Sequence, residues 1–378
     1  MAIPEPLMPL FNRDKVGNPV GEEEKQTFAA RCHCSNVQFA ITLPKSMLPL
    51  NAYVCGCYHC RVTHGAFGSF HITLPPGLGP EWTAGRINYS VYKTKGGNGG
   101  QRFFCPTCGA HSGHYEPLIN QWVVDVALFD SSAPFWTYTH FAFPQSARDG
   151  GLLSWIPEIA PGRPLLPFSP PNDQAQEYEL VKAGSGEERL RAECHCGGVS
   201  FTVGRPTEAM RGDAHLGRYV SPADPAKWKA LLDFCRDCRK ATGVPCNAWA
   251  LVPRAAIEPA DAADLRALGT MKTYASSGAS TRGFCGACGA TVFTRHRARV
   301  ASEESEQLTV LNVAVGILRA PEGAKAENWL TWRTGEPAFA GPEDDARTFD
   351  PQFVEAVVEG HRKWGVEKYG DVVNFPVV

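Results

Sequence analysis

Cysteines at short spacings are the residues of this chain whose type and position best suit chemistry. The 378-residue sequence contains fourteen of them, and most lie within two or three residues of another. Two thiolates on one tight turn point at a common centre, which suits a metal ion. An even number also permits disulfides, but residues 1–20 hold prolines and charges where a secretory signal would be apolar, so we favour metal binding.

The cysteine motifs occur twice along the chain, in the same order. Flanking residues repeat as well, since Phe104-Cys-Pro-Thr-Cys-Gly-Ala110 is matched by Phe284-Cys-Gly-Ala-Cys-Gly-Ala290. This ordered repeat predicts a duplicated domain, and two copies are too few for a solenoid. The first copy contains Cys32, Cys34, Cys55, Cys57, Cys60, Cys105 and Cys108, and the second contains Cys194, Cys196, Cys235, Cys238, Cys246, Cys285 and Cys288.

Within each copy, we pair the first cysteine motif with the last. Four thiolates saturate a tetrahedral zinc ion, so these two sites are predicted to be structural. An iron–sulfur cluster is the alternative, and we favour it less because two pairs on hairpin turns are the usual zinc arrangement. The two sets are Cys32, Cys34, Cys105 and Cys108 in the first copy, and Cys194, Cys196, Cys285 and Cys288 in the second.

The middle motif of the first copy supplies three thiolates, from Cys55, Cys57 and Cys60. We call these three residues the thiol triad. A zinc ion with three protein ligands keeps an open position for substrate or water, and this is the interpretation we favour. The alternative is a closed site whose fourth ligand is His59, His64 or His71.

Several residues near the thiol triad are candidates for proton transfer or substrate binding. Imidazole titrates near neutral pH, which makes the three nearby histidines proton-transfer candidates, although each is equally an ordinary core or surface histidine. Arg61 is predicted either to pair with a substrate carboxylate or to face solvent. Arg102 and Arg282, which precede the last motif of each copy, are weaker candidates of the same kind.

The second copy departs from this pattern at its middle motif. Asp233 aligns with Cys55, so three soft ligands become Cys235 and Cys238 plus a hard carboxylate. We therefore expect this site to bind metal weakly or not at all, and the chemistry to lie in the first copy. Cys246 is an alternative ligand that would restore the second site. Three zinc ions per chain are thus expected, and four are allowed.

The sequence around these motifs predicts a mainly β fold with few helices. Alternating apolar residues predict strands, and each Cys-x-x-Cys-Gly predicts a tight turn of the zinc-knuckle kind. Helices are predicted at Tyr58–His64 and over Asp350–Trp364, where Asp350 would cap and Pro351 would occupy the first turn. The predicted strands cover residues 37–43, 67–74, 87–92, 121–129, 199–203, 248–252 and 308–318.

Length and composition predict two or three domains with a real core, since 43% of the residues are hydrophobic. The net charge of −2 argues against a nucleic-acid partner, and no run of about 18 apolar residues predicts a membrane span. We therefore expect a cytoplasmic protein with a small-molecule substrate. The predicted segments are an N-terminal arm (1–27), a first zinc β domain (28–168), a linker rich in proline and glycine (169–188), a second zinc β domain (189–340) and a C-terminal helical extension (341–378).

The order of these motifs resembles that of the glutathione-dependent formaldehyde-activating enzyme and centromere protein V family. The resemblance covers roughly residues 28–165 and 190–340. The residues that carry it are Cys32-His-Cys-Ser-Asn-Val-Gln-Phe39, Cys55-Gly-Cys-Tyr-His-Cys-Arg61 and Phe104-Cys-Pro-Thr-Cys-Gly109 in the first copy, and Cys194-His-Cys-Gly-Gly-Val-Ser-Phe201, Phe234-Cys-Arg-Asp-Cys-Arg-Lys240 and Phe284-Cys-Gly-Ala-Cys-Gly289 in the second.

This resemblance implies tandem small β domains, each with a structural four-cysteine zinc, and a three-cysteine zinc at the active site. It also implies the condensation of glutathione with formaldehyde to S-hydroxymethylglutathione, a carbon–sulfur lyase reaction. We therefore expect a zinc-dependent enzyme that makes or breaks a carbon–sulfur bond, with glutathione or another thiol or carbonyl compound as substrate. Two alternatives stay open: a zinc-scaffolded binding module without activity, and a zinc lyase or transferase acting on a secondary metabolite.

Overall fold

The fold is mainly β, as the sequence predicts. The computed structural model describes residues 23–82, 89–94, 100–117, 120–131, 134–259, 268–300 and 308–376. The predicted N-terminal arm therefore lies mostly outside the described residues. The strands of the first copy are β1 (Lys25–Arg31), β2 (Gln38–Pro44), β3 (Leu50–Cys55), β4 (Ser69–Thr73), β5 (Glu81–Trp82), β6 (Ser90–Lys93), β7 (Gln101–Phe104), β8 (His111–Glu116), β9 (Gln121–Asp125), β10 (Trp136–Ala142), β11 (Glu158–Ala160), β12 (Arg163–Pro164) and β13 (Leu166–Phe168).

The remaining strands belong to the linker and the second copy. One of them, Val181–Lys182, lies inside the predicted linker and pairs with the strand that follows it. These strands are β14 (Val181–Lys182), β15 (Glu188–Glu193), β16 (Ser200–Val203), β17 (Trp228–Asp233), β18 (Asn247–Pro253), β19 (Ile257–Glu258), β20 (Met271–Ser277), β21 (Ser280–Cys285), β22 (Thr291–His296), β23 (Val310–Ala314) and β24 (Leu330–Trp332). The helices are α1 (Tyr58–His64), α2 (Glu208–Gly212), α3 (Arg236–Thr242), α4 (Asp345–Phe349) and α5 (Pro351–Tyr369).

Both copies contain the same large sheet, whose six central strands are antiparallel and whose added edge strands are parallel. In the first copy, the spatial order β3-β4-β9-β8-β7-β6 is extended beyond β3 by β10 and β13. In the second, the order β17-β18-β23-β22-β21-β20 is extended beyond β17 by β24. A smaller sheet joins β1, β2 and β5 in the first copy and β14, β15, β16 and β19 in the second. The shared order confirms two tandem domains of one fold.

Two predicted strands end earlier than the apolar pattern suggests. The run 121–129 forms β9 only to Asp125 and then a 3-10 turn at Val126–Leu128, and the run 308–318 forms β23 and then a 3-10 turn at Val315–Ile317. These turns contact the other copy. Their residues are apolar because they are buried in that contact, and not because they continue a strand. The Lys240 Nζ atom of α3, for example, donates to the carbonyl oxygen of Phe129 at 3.0 Å.

The two copies dock reciprocally and share one hydrophobic core. Helices α1 and α3 both end at a glycine in the left-handed region, Gly65 and Gly243. A Cβ on Gly65 would lie 2.4 Å from the carbonyl oxygen of Thr291, and one on Gly243 would lie 2.3 Å from that of His111. Each helix end is therefore pressed against the backbone of the opposite copy, where only glycine leaves enough room.

The C-terminal helix covers both copies. As predicted, Asp350 caps α5 by accepting from the backbone N–H of Phe353, and Pro351 occupies its first turn, although the helix continues to Tyr369. The ring centroid of Phe353 lies 5.1 Å from that of Phe70 in the first copy and 6.1 Å from that of Phe234 in the second. Among the described residues, no helix is long and apolar enough to cross a membrane.

Replacing Gly243 by alanine should destabilise the protein by about 3 kcal/mol or more, because a left-handed alanine costs roughly 1–2 kcal/mol and its methyl group would also overlap the His111 carbonyl. Gly370, the left-handed residue after α5, is the matched control, since a Cβ there would meet no described atom within 4 Å. Urea denaturation of both variants checks this. Equal losses for Gly243→Ala and Gly370→Ala would contradict the tight docking of the copies.

Candidate metal centre

The structure gathers the four cysteines that were paired in the first copy. The sulfur atoms of Cys32 and Cys34 lie 3.5 Å apart, as do those of Cys34 and Cys105, and Cys108 completes the group. A disulfide has a sulfur–sulfur length of about 2.05 Å, whereas four sulfurs around a zinc ion at about 2.3 Å lie about 3.8 Å apart. The donor set and its spacing therefore fit zinc.

The second copy repeats this arrangement. The Cys196 sulfur lies 3.5 Å from those of Cys194 and Cys285, and Cys288 completes the group. Backbone N–H groups point at the sulfurs, with Val199 donating to Cys194 at 3.2 Å, as Val37 donates to Cys32 at 3.3 Å. Such donors stabilise thiolates, which are the form of cysteine that binds metal.

The thiol triad lies where β3 turns into α1. Cys55 ends the strand, Cys57 caps the helix, and the backbone N–H of Cys60 in the first helical turn donates to the Cys57 sulfur at 3.3 Å. The three sulfurs lie within 4.8 Å of one another. Cys55 and Cys60 are buried and Cys57 is partly exposed, so the triad meets solvent on the Cys57 side.

A partly buried arginine of β7, Arg102, places a positive charge beside the triad. The Arg102 Nη2 atom donates to the Cys60 sulfur at 3.3 Å. Burial by itself lowers the pKa of Arg102, but the charges of Cys60 and Cys57 outweigh it and hold the pKa above its ordinary value. Hydrogen bonds from Cys55 and Cys57, together with the charge of Arg102, hold the pKa of the Cys60 thiol well below its usual range. Arg102 is thus fixed on a thiolate and is not a free surface cation.

A histidine of the second copy completes the surroundings of the triad. The His195 ring centroid lies 4.7 Å from that of His59, and its Nδ1 atom lies 2.6 Å from the Tyr92 hydroxyl oxygen. Burial, with the nearby charges of His59 and Arg102, lowers the pKa of His195 to about 4. The imidazole is therefore neutral near pH 7. The candidate site is built from both copies, although its thiols come from one.

The reciprocal contact exists at the other middle motif. His33 of the first copy lies between Tyr274 and Asp237 of the second, with its Nδ1 atom 2.8 Å from the Tyr274 hydroxyl and its Nε2 atom 3.6 Å from an Asp237 carboxylate oxygen. His33 and His195 are the central residues of the two Cys-His-Cys motifs. The copies are thus related by an approximate two-fold arrangement at both sites.

Arg61 lies elsewhere than the two positions predicted from the sequence. Its side chain is buried, and it donates to the carbonyl oxygens of Gly56 at 3.0 Å and Ser146 at 2.8 Å. It therefore faces neither solvent nor an open pocket. Buried backbone carbonyl groups need hydrogen-bond donors, and Arg61 supplies them here. These contacts favour a role in positioning the thiol-bearing turn.

His64 and His71 do not join the thiol triad. Their Nε2 atoms gather with the carboxylate of Asp125, and all three side chains are buried. Among the described residues, no histidine, aspartate or glutamate joins the three sulfurs as a fourth member within 4.8 Å. Of the three candidate histidines, only His59 remains on the exposed side of the triad, half-buried beside His195.

The middle site of the second copy is internally hydrogen-bonded. Asp233 lies with Cys235 and Cys238, as the sequence alignment predicts. Its Oδ1 atom accepts from the backbone N–H of Cys235 at 2.8 Å, while Oδ2 accepts from the Trp249 indole N–H at 2.8 Å and from the Cys238 thiol at 3.1 Å. Protein donors thus satisfy the carboxylate that would otherwise face a metal ion.

Arg282 and Cys246, both candidate residues from the sequence, also lie in this region. Arg282 donates to the Cys238 sulfur at 3.4 Å, in the same way that Arg102 donates to Cys60. The buried Cys246 thiol lies 4.0 Å from the Asn247 carbonyl oxygen and does not belong to the group of Asp233, Cys235 and Cys238. The arginine pair is therefore common to both copies, whereas no replacement ligand is recruited from Cys246.

Sequence reasoning missed His195, Tyr92 and Asp125. A signal for His195 was present, since a histidine stands between the first two cysteines of both copies. Asp125 offered no such signal, because it is a single acidic residue inside the apolar run 121–129, far in sequence from any cysteine motif except the last. Only the sheet register, which pairs Asp125 with His71, brings it into the site region.

Comparison with known families gives two matches. The sequence profile described as glutathione-dependent formaldehyde-activating enzyme matches residues 27–141 and again residues 218–332, which together make up more than half of the chain. Each match spans the middle and last cysteine motifs of one copy. The first also spans Cys32 and Cys34, whereas the second begins after Cys194 and Cys196. No curated protein matches the chain.

Replacing Cys288 by serine should remove one zinc ion per chain and lower the melting temperature by about 10 °C or more, because the binding energy of a closed zinc site is folding energy. Cys246→Ser is the matched control, since that thiol is also buried but belongs to none of the possible metal-binding groups among the described residues. Elemental analysis and thermal melts check this. A Cys288→Ser protein with full zinc content and unchanged melting would show that the cysteines are paired wrongly.

Proposed function

The chain belongs to the glutathione-dependent formaldehyde-activating enzyme family, and we propose that its first copy is a zinc-dependent enzyme that makes or breaks a carbon–sulfur bond. The substrate is glutathione or another small thiol, together with formaldehyde or a related carbonyl compound. The observation that carries the proposal is the difference between the two middle sites. Three thiols meet at the triad of the first copy, whereas the carboxylate at the second site is already hydrogen-bonded by the protein.

The residues of the triad fit zinc, since three sulfurs converge and the donors around them stabilise the thiolate form. A zinc ion held there supplies a Lewis acid and a coordination position at which a substrate thiol loses its proton readily. In the synthetic direction, the thiol sulfur bonds to the carbonyl carbon, the carbon–oxygen double bond becomes single, and the thiol proton ends on the oxygen. The reverse reaction breaks the same bond.

The protein supplies charge balance and a fixed turn. Arg102 places a positive charge 3.3 Å from the Cys60 sulfur, which offsets the cost of gathering three thiolates in a buried site. Arg61 binds the carbonyl groups of Gly56, within the turn of the triad, and of Ser146, after β10, and so ties the turn to a neighbouring segment. Cys57, the partly exposed member, marks the side from which a small molecule approaches.

His59 and His195 are the imidazoles that share the exposed side of the triad. We assign them the task of holding the proton that moves between the thiol and the carbonyl oxygen. Tyr92 fixes the ring of His195 through its hydroxyl group. Because His195 comes from the second copy, this copy contributes to the reaction even though its own middle site is predicted to be inactive.

Changing Cys57 to serine should lower turnover by about 100-fold or more, because one of three sulfurs is lost, while Cys235→Ser should change it by less than about three-fold. The assay follows the rate at which glutathione and formaldehyde form the hydroxymethyl adduct above the uncatalysed rate, by NMR exchange spectroscopy. A panel of other thiols and aldehydes covers the remaining substrates. Loss of activity in Cys235→Ser alone would assign the chemistry to the second copy, and no acceleration with any pair would favour a zinc-scaffolded binding module.

Changing His195 to glutamine should lower turnover by about 10-fold or more, because the side chain beside His59 then holds no titratable proton. His33→Gln is the matched control, since His33 has the same motif position and the same tyrosine contact but lies at the other middle site. Zinc content should stay at the wild-type level in both proteins. Equal activity of the two variants would remove His195 from the reaction.

A further inference from the structure

A second group of metal-ligand side chains lies behind the thiol triad in the first copy. It consists of His64 at the end of α1, His71 on β4 and Asp125 at the end of β9, and we call it the His–Asp cluster. The three ligand atoms lie within 4.8 Å of one another. The His71 Nε2 atom is 3.0 Å from one carboxylate oxygen of Asp125, and the His64 Nε2 atom is 3.7 Å from the other.

Five of the six polar side-chain atoms of this cluster have no satisfactory hydrogen bond. Each of the three side chains is only 1% exposed. Among the described residues, the His64 Nε2 atom, both ring nitrogens of His71 and both carboxylate oxygens of Asp125 lack a hydrogen-bond partner of adequate geometry. Leaving a buried carboxylate and two imidazoles in this state is costly, so such a group needs a compensating positive charge.

The orientation of His64 indicates where that charge belongs. Its Nδ1 atom lies 2.9 Å from the carbonyl oxygen of Cys60, and a carbonyl only accepts, so Nδ1 carries the hydrogen. In the neutral ring, Nε2 therefore presents a lone pair toward the carboxylate of Asp125, which presents lone pairs of its own. With the ring neutral, two acceptors face each other across 3.7 Å, an arrangement that a cation between them stabilises.

We propose that His64, His71 and Asp125 bind one zinc ion, in addition to the ions held by cysteines. Ligand atoms about 2.0–2.1 Å from a tetrahedral zinc ion lie about 3.3 Å apart, and the observed separations of 3.0 and 3.7 Å bracket this value. The two separations involve different oxygens of Asp125, so two imidazole nitrogens and both carboxylate oxygens would surround the ion. Two imidazoles and one carboxylate side chain are a common zinc set. A histidine ligand whose other nitrogen donates to a backbone carbonyl is also typical of metal sites.

The second copy supports the assignment by lacking the same residues. The shared strand registers place Trp249 opposite Ala314, where the first copy has His71 opposite Asp125. Thr242 stands before the glycine that ends α3, where His64 stands in α1. All three ligands are thus replaced together by residues that bind no zinc, as expected if they serve one ion.

The ion would fix the helix that carries the thiol triad. His64 lies one turn after Cys60 and bonds to its carbonyl group, so a zinc ion on His64 ties α1 to the strands that bear His71 and Asp125. The burial of the cluster gives the ion a structural role and leaves no route for a substrate. Its loss should therefore loosen the thiol triad without removing any of the triad's own ligands.

The test counts zinc in the full-length protein. Asp125→Asn keeps the shape of the side chain but removes its charge, and it should lower the zinc content by one ion per chain relative to wild type. Asp173→Asn is the matched control, because this buried carboxylate accepts from Gln145 and Ser169 and should lose no zinc when changed. A Cys57→Ser, Asp125→Asn protein should lose one ion more than Cys57→Ser alone. Unchanged zinc content in a folded Asp125→Asn protein would overturn the proposal.

A spectroscopic measurement covers the case in which Asp125→Asn fails to fold. X-ray absorption at the zinc edge, on the zinc-loaded Cys57→Ser protein, should show nitrogen or oxygen neighbours at about 2.0 Å with the outer-shell signal of imidazole, beside sulfur at about 2.3 Å. The four-cysteine sites contribute sulfur only. A spectrum without imidazole scattering would mean that His64, His71 and Asp125 form a metal-free ion pair, and it would overturn the proposal independently of any variant.

Discussion

Convergence of thiol groups is the constraint on which the rest of this structure depends. Each four-cysteine group joins a turn near the start of a copy to a turn 70 to 90 residues later, and the sheet between them must return the chain to the same point. The constraint also fixes the direction in which the side chain between the first two cysteines points. Since Cys32 and Cys34 both turn inward to one centre, His33 projects outward to the other copy, and His195 does the same from the second.

Because the two copies dock reciprocally, each middle site is built from residues of both copies. The glycine ends of α1 and α3 press against the opposite backbone, and the two copies share a single core. Each middle motif therefore has a histidine of the other copy beside it. A single copy has no such histidine at its middle motif, which gives a physical reason why a duplicated chain keeps a second copy whose own middle motif has lost a thiol.

The two copies have one topology but differ in the residues of their middle sites. In the first copy, Cys55 and His71 occupy the positions that Asp233 and Trp249 occupy in the second, as the paired registers of β3 with β4 and of β17 with β18 show. The Trp249 indole N–H donates a hydrogen bond to the Asp233 carboxylate, so the second site satisfies this carboxylate from within the protein. In the first, three sulfurs converge, and the Cys57 and Cys60 sulfurs accept hydrogen bonds from the Cys60 N–H and from Arg102. A few different residues on a shared sheet therefore give the two middle sites different sets of potential ligands.

The sequence by itself determined the duplication, the mainly β fold, the helix of the thiol triad and the family, because cysteine spacing and apolar alternation are local patterns. It also determined which cysteines could meet, since four thiolates satisfy one ion. It did not place Arg61 on two backbone carbonyls, His195 beside His59, or Asp125 beside His71. The last two contacts join residues 136 and 54 positions apart. They depend on how the copies dock and on strand register, which only the tertiary structure decides.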